Sequence, residues 1–219
     1  MEKPILSKQG IPMLNMMIGF FKDYFKYKDA AKKQQRWMER YCEQKGYAIN
    51  PNWMMSTNLK SNLCEMEATF GKRYCPCFEP SANKVLDKKM SCPCEYVEDE
   101  IAEYGTCHCA LFGPADLSKE QWKASSKRLM DEYQVPKNLK DGVLDTRGMP
   151  LDPRRELPVP DMMHQVKALL NGYKGEKLTV IVEREQEMLN LEKIALYRGY
   201  DCSWKPKENY FEAVLHLKR

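Results

Sequence analysis

Lys72–Cys109 reads KRYCPCFEPSANKVLDKKMSCPCEYVEDEIAEYGTCHC and holds six of the nine cysteines of this 219-residue chain. They come as three C-x-C pairs, Cys75/Cys77, Cys92/Cys94 and Cys107/Cys109. One tetrahedral metal or one cubane cluster takes only four thiolates, so two sulfurs are left over. In extended backbone, side chains two apart point the same way, so the partner of a metal-bound thiol lies beside the metal. Two pairs arranged in this way hold a spare dithiol against the metal, the geometry needed to pass electrons to a disulfide. A structural zinc site is the alternative, and it fits poorly because zinc knuckles space their thiols further apart. The C-x2-C-x2-C run of bacterial ferredoxins is absent as well.

Around this segment the composition is that of a folding chain, 43% hydrophobic and 30% charged, with a formal net charge of +4. Such a balance suits an acidic protein partner. Without an aromatic-laced basic stripe it falls short of a nucleic-acid footprint. The apolar run Ile11–Phe21 is far shorter than the roughly 20 residues a membrane span needs. It reads as a buried helix or a partner-docking segment, with an interfacial anchor as the other reading. No signal peptide is recognisable, so the expectation is a cytoplasmic protein whose thiols are reduced and whose cysteine cluster means metal or redox chemistry.

The chain divides by pattern into an N-terminal extension (1–28), a cysteine-bearing domain (29–134), a Pro- and Gly-bounded connector (135–142) and a C-terminal domain (143–219). A helix is expected from about Lys22 to Lys45, with Phe25, Trp37, Met38 and Tyr41 as its apolar stripe and Gly46 as its stop. A second runs from Met54 to Thr69, and VEDEIAEY after Cys94 reads as a short acidic helix. Gly113-Pro114 reads as a turn. Ser118 and Gln121 form a capping-box pattern for a helix reaching about Tyr133. Beyond the connector come a short strand at LDTRG, a helix opened by Pro160-Asp161 and closed by Gly172, with Met163, Val166 and Leu170 on one face, and the strand KLTVIVE. The helix EQEMLNLEKIALYRG and a strand turning Phe211, Ala213, Leu215 and Leu217 inward complete a small α/β sandwich.

The inner residues Pro76, Pro93 and His108, in CPC…CPC…CHC, and the exit Ala110-Leu111-Phe112 carry a resemblance to the catalytic subunit of ferredoxin:thioredoxin reductase and to ferredoxin:disulfide reductases. It extends over roughly Lys33 to Tyr133. The first gap between pairs is slightly shorter here than in the plant-type pattern, and the second is longer. The resemblance implies an α+β chain whose first domain is mostly helical and holds a [4Fe–4S] cluster on Cys75, Cys92, Cys94 and Cys107. It implies an active-site disulfide between Cys77, the outer thiol that attacks the target, and Cys109, the inner thiol held against the cluster. Ferredoxin or a similar carrier would supply single electrons, and thioredoxin or another disulfide-bearing protein would receive them.

His108, between a ligand position and a redox thiol, reads as a proton donor, because thiol–disulfide exchange must protonate a leaving thiolate. His164 and His216 read as structural or surface residues, and Cys42, Cys64 and Cys202 as small packed side chains. The acidic run EYVEDEIAEY is either a solvated face or a docking surface. Lys22, Lys26, Lys28, Lys32 and Lys33 either are solvated or steer an acidic ferredoxin. The alternative function is a non-catalytic electron-relay or scaffold subunit of a larger sulfur-metabolising complex.

The C-terminal stretch LDTRG…LPVPDMMHQVKALLNGYKGEKLTVIVE resembles the TusA/SirA sulfur-carrier family, whose signature is a Cys-Pro-x-Pro helix start. Leu157-Pro158-Val159-Pro160 is the matching tetrad, with leucine in place of cysteine. Leucine cannot carry sulfur, so the expectation is a retained fold that serves docking or assembly with further subunits.

Overall fold

In a computed structural model of the protein, residues 13–78, 80–132, 139–149, 151–152, 157–158, 162–170 and 176–217 are described. Two compact units are present, one formed by Phe20–Cys77 and Asn83–Glu132, the other by Met1–Gly19, Phe78–Ala82 and Tyr133–Arg219. Helix and sheet both occur, as expected for an α+β chain.

In place of the single helix expected from Lys22 to Lys45 there are two, α1 (Met13–Lys26) and α2 (Lys28–Lys45). The break falls at Tyr27, which leaves helical geometry (φ −102°, ψ 10°) with its side chain buried. Gly46 ends α2 in the left-handed region at φ 68°, where a side chain is disfavoured. The buried line on α2 is Gln34, Met38 and Cys42. Trp37 and Tyr41 instead flank the fully buried Phe112, with ring centroids 6.2 and 5.0 Å from it. Phe25 belongs to α1 and is exposed, so it is no part of that stripe. The apolar segment expected to bury itself is only partly covered: Phe20 and Tyr24 pack edge-on against Trp53, whereas Met17, Ile18 and Phe21 stay exposed. Among the described residues no helix is long and apolar enough to cross a membrane.

Strand β1 (Tyr47–Ile49) follows, then α3 (Trp53–Phe70), which starts where Asn52 Oδ1 accepts from the Met55 N–H and stops at Gly71. Its Leu59, Leu63, Cys64 and Met66 are buried, and the helix packs on α2. Two short helices sit between the cysteine pairs, α4 (Lys84–Lys89), capped by Asn83, and α5 (Val97–Tyr104), ended by Gly105. Strand β2 (Phe112–Pro114) pairs antiparallel with β1, Ala48 opposite Gly113. The expected Gly113-Pro114 turn is therefore strand. A Cβ on Gly113 would stand 3.0 Å from the Trp122 ring and 3.1 Å from the Gly105 carbonyl, so close approach is what this glycine serves. Helix α6 (Lys119–Glu132) opens with the expected capping box, Ser118 Oγ accepting from the Gln121 N–H and Gln121 Oε1 from the Ser118 N–H.

The other unit is built on a five-stranded sheet of order β3-β4-β7-β9-β8. Its strands are β3 (Leu139–Lys140), β4 (Val143–Asp145), β7 (Lys177–Val182), β8 (Tyr200–Pro206) and β9 (Phe211–Leu217). Strand β4 runs parallel to β7 across the crossover helix α7 (Met162–Leu170), and β9 lies antiparallel between β7 and β8. Helix α8 (Glu185–Tyr197) packs on β7, β8 and β9 with α7 beside it. Leu144, Leu178, Val180, Val182, Ala213 and Leu215 bury one side chain layer against Met162, Val166, Leu169, Met188, Leu191 and Ile194. Each fully buried aliphatic chain here is worth about 1.5–3 kcal/mol relative to exposure. A separate two-stranded ribbon pairs β5 (Leu151–Asp152) with β6 (Leu157–Pro158), so the first half of the Leu-Pro-Val-Pro tetrad is strand and the following helix begins at Met162. Residues 1–12, the first half of the connector (135–138), Pro160-Asp161 and Gly172 lie outside the described residues, as do the side chains of Met163, His164 and Leu217.

Candidate metal and redox centre

Backbone hydrogen bonds set the three cysteine pairs. Tyr74 bridges Ser91, the Cys75 N–H donates to Met90 O at 2.9 Å, and the Cys92 N–H donates to Arg73 O at 2.7 Å. These bonds tie the first two pairs together side by side, with a cis peptide at Cys92-Pro93. The third pair sits in a tight turn. Cys107 donates its N–H to Phe112 O at 2.8 Å, its sulfur accepts from the Phe112 N–H at 3.3 Å, and Ala110 closes the turn at φ 53°. Buried Asn50, at the end of β1, holds the exit strand by donating Nδ2 to Ala110 O and its N–H to Leu111 O.

All six sulfur-bearing residues are buried, none more than 6% exposed. Cys75, Cys77 and Cys109 bring their sulfurs within 4.8 Å of one another. The Cys109 sulfur is 3.9 Å from that of Cys75 and 3.8 Å from that of Cys107. Burial, then the negative charges of Cys75, Cys107 and Cys94, pushes the Cys92 thiol well above its ordinary range. Burial pushes the Cys107 thiol up too, but hydrogen bonds from Cys109 and from the Phe112 and Leu111 N–H groups outweigh it and bring the thiol down to about 7. Donation to Cys107 raises the Cys109 thiol well above its usual value. Sulfurs packed this closely cannot all ionise without positive charge among them. A metal centre supplies that charge and displaces the protons, so the donor set fits a thiolate-bound cluster.

His108 is 8% exposed, and the peptide linkages on both sides of it are held. Its N–H donates to Glu100 Oε2 at 2.8 Å, and its carbonyl accepts from Arg128 Nη2 at 2.9 Å. The sequence reading missed Glu100, Arg128 and Asn50. One signal was present for Glu100: it lies three residues from Val97 on the inward side of α5, a carboxylate on an apolar face. The acidic run is therefore not wholly a solvated face.

Other expected residues lie elsewhere. Lys22, Lys26, Lys28, Lys32 and Lys33 are exposed on α1 and α2, with Lys32 paired to Asp29 and Lys33 to Glu67. Cys42 and Cys64 are buried, and burial lifts both thiols to about 11; Cys202, half-buried on β8, is lifted to about 11 as well. His216 is exposed on β9. A recess of about 550 Å³ lined by Lys84, Val85, Lys88, Lys89, Pro93 and Glu95 opens at the second cysteine pair.

A helical scaffold carrying six buried thiols, three of them within 4.8 Å of one another, has the donors of a thiolate-bound metal and redox protein. The family model described as ferredoxin thioredoxin reductase catalytic beta chain matches residues 26–135, and the chain belongs to that family. No curated protein matches the chain. The family binds a [4Fe–4S] cluster, and the buried cysteine group is able to hold it. The chain is accordingly an oxidoreductase of the disulfide-reductase kind.

Proposed function

We propose that the chain is a ferredoxin-dependent disulfide reductase acting on thioredoxin or another protein disulfide. Cys75, Cys92, Cys94 and Cys107 hold the cluster, and Cys77 and Cys109 form the redox-active disulfide. The observation that carries this reading is the convergence of Cys75, Cys77 and Cys109 within 4.8 Å, two sulfurs surplus to a ligand quartet beside one that belongs to it. When bound, the cluster supplies one-electron transfer, which reconciles a single-electron donor with a two-electron disulfide.

The Cys77–Cys109 bond opens on uptake of two electrons and two protons, leaving two thiols, and His108 takes the Cys77 proton. The Cys77 thiolate then attacks one sulfur of the target disulfide, making a mixed disulfide and expelling the other target sulfur, which receives that proton from His108. Cys109 attacks Cys77 Sγ, restoring the internal disulfide, and its proton passes to the second target sulfur as that sulfur leaves as a thiol. Lysines of the recess at Pro93, rather than those of α1 and α2, are the favoured contact for an acidic electron donor, since they flank a cluster-bearing loop.

For the rest of the chain the reading is a reductase domain at 29–134, a connector at 135–142 whose Leu139–Lys140 pairs with the sheet as β3, and a TusA-like docking module at 143–219 that has lost its sulfur-carrying cysteine. The strand, helix, strand, helix, strand, strand order of β4, α7, β7, α8, β8 and β9 supports it.

Protein purified without oxygen is expected to contain about four iron and four sulfide per chain. Its Cys109→Ser variant, lacking the resolving thiol, is expected to trap the target on Cys77 as a mixed disulfide that dithiothreitol releases. Iron-free protein that stays folded around zinc would overturn the reading.

A further inference from the structure

We infer that Glu100 and Arg128 are positioning residues for the disulfide chemistry, gripping the peptide linkages at His108 from opposite ends. The inference rests on Cys107-His108-Cys109 being the reacting loop. Glu100 Oε2 takes the His108 N–H at 2.8 Å, and Arg128 Nη2 donates to the His108 carbonyl at 2.9 Å. The bond from the Arg128 guanidinium is charge-assisted, the stronger kind. Both partners also come from helices. Glu100 is fully buried in α5, and Arg128 in α6 lays its guanidinium 4.8 Å over the ring of Tyr104, one turn beyond Glu100. One short helix thus supplies the carboxylate and the platform that steadies the arginine. Turning the His108 backbone would break both bonds and carry with it the sulfurs of Cys107 and Cys109, which stand 3.8 Å apart. The other oxygen of the same carboxyl group lies 3.9 Å from His108 Nδ1, so the imidazole stands beside the clamp. A fully buried carboxylate is costly near sulfurs that carry negative charge when ionised, and its bond to the loop offsets that cost.

The test compares Glu100→Ala, Glu100→Gln, Arg128→Met and Arg128→Lys in the cluster-loaded full chain. Glu100→Ala is expected to lower kcat for disulfide reduction by about tenfold to a hundredfold. The KM for the disulfide should stay within about twofold and the iron content unchanged. Visible circular dichroism of the cluster, which reports how its thiolates are arranged, is expected to change in Glu100→Ala and to return in Glu100→Gln, which keeps an acceptor oxygen. Arg128→Met should behave like Glu100→Ala, Arg128→Lys should recover part of the loss, and the two losses should combine less than additively because both act on one loop. Wild-type kcat and dichroism in Glu100→Ala would overturn the inference. So would a Glu100→Gln variant as damaged as Glu100→Ala, since charge rather than position would then be at work. Should Glu100→Ala fail to fold, the Arg128 pair decides on the carbonyl side, where wild-type behaviour of Arg128→Met is the overturning result. A wild-type protein that reduces no disulfide defeats the functional reading alone, and the dichroism still decides the clamp.

Discussion

Ala110 is where the cysteine loop carries backbone strain. Its φ of 53° is left-handed, which costs an L-residue about 1–2 kcal/mol, and its side chain is fully buried. The turn persists because both ends of the residue are held, its N–H by Cys107 O and its carbonyl by Asn50 Nδ2, each at 2.8 Å. Ala110→Gly is expected to match the wild type or to gain up to about 1 kcal/mol, the relief of strain being partly cancelled by a freer unfolded chain. Ala110→Val is expected to lose more than about 2 kcal/mol, since a branched side chain tolerates this φ poorly and overfills the site. Anaerobic thermal unfolding with iron analysis measures both, and equal stability of the two variants would contradict the turn. At this scale the six thiols and His108 were legible because a spacing of two is local information. Glu100, Arg128 and Asn50 reach their partners across 8, 20 and 60 residues, which no short window contains.

Helix ends were read well because their chemistry is also local: Ser118 with Gln121, and Gly46 beyond α2. The β1–β2 pair was missed because two three-residue strands carry no alternation, and their pairing joins Ala48 to Gly113. The break at Tyr27 was missed because the residues on both sides of it are strong helix formers. Helix α4 gained a meaning that its sequence alone did not carry. Its Lys84 and Lys88 are exposed beside Pro93, while Lys89 is paired with Glu95 at 3.1 Å. A charge-reversing Lys84→Glu/Lys88→Glu variant is expected to slow reduction by an acidic electron donor by about tenfold at low ionic strength. That gap should narrow as salt approaches about 1 M, where screening acts within about 3 Å. Turnover with a small neutral chemical reductant should not change. Stopped-flow rates across a salt series check this, and a salt-independent loss would place the donor elsewhere.

For the molecule as a whole, the C-terminal sheet was legible in outline, because Ala213 and Leu215 alternate inward and β7 is nearly all apolar. The allocation of Phe78–Ala82 was not. These five residues follow Cys77 directly, yet they cluster with the sheet-bearing unit, while Cys77 itself belongs to the other. Within the sheet-bearing unit, the fully buried Asn190 of α8 donates Nδ2 to Pro80 O at 2.6 Å, and Gln186 Nε2, one turn earlier, fixes the amide by donating to its Oδ1 at 2.9 Å. This bond joins residues 110 apart in sequence. It anchors the chain three residues beyond the thiol proposed to attack the target. Asn190→Leu fills nearly the same volume but removes the donor, leaving a carbonyl short of a partner at a cost of about 1–3 kcal/mol. With its exit less firmly held, Cys77 in the reduced, cluster-loaded protein is expected to react with iodoacetamide severalfold faster than in the wild type. Iron content and cluster absorbance should stay the same, because the bonds that set the three cysteine pairs come from Met90, Arg73 and Phe112. Peptide mapping of the labelled cysteines decides it. An unchanged Cys77 rate means that Phe78–Ala82 is held independently of α8, and a loss of iron means that the segment supports the cluster rather than the redox thiol.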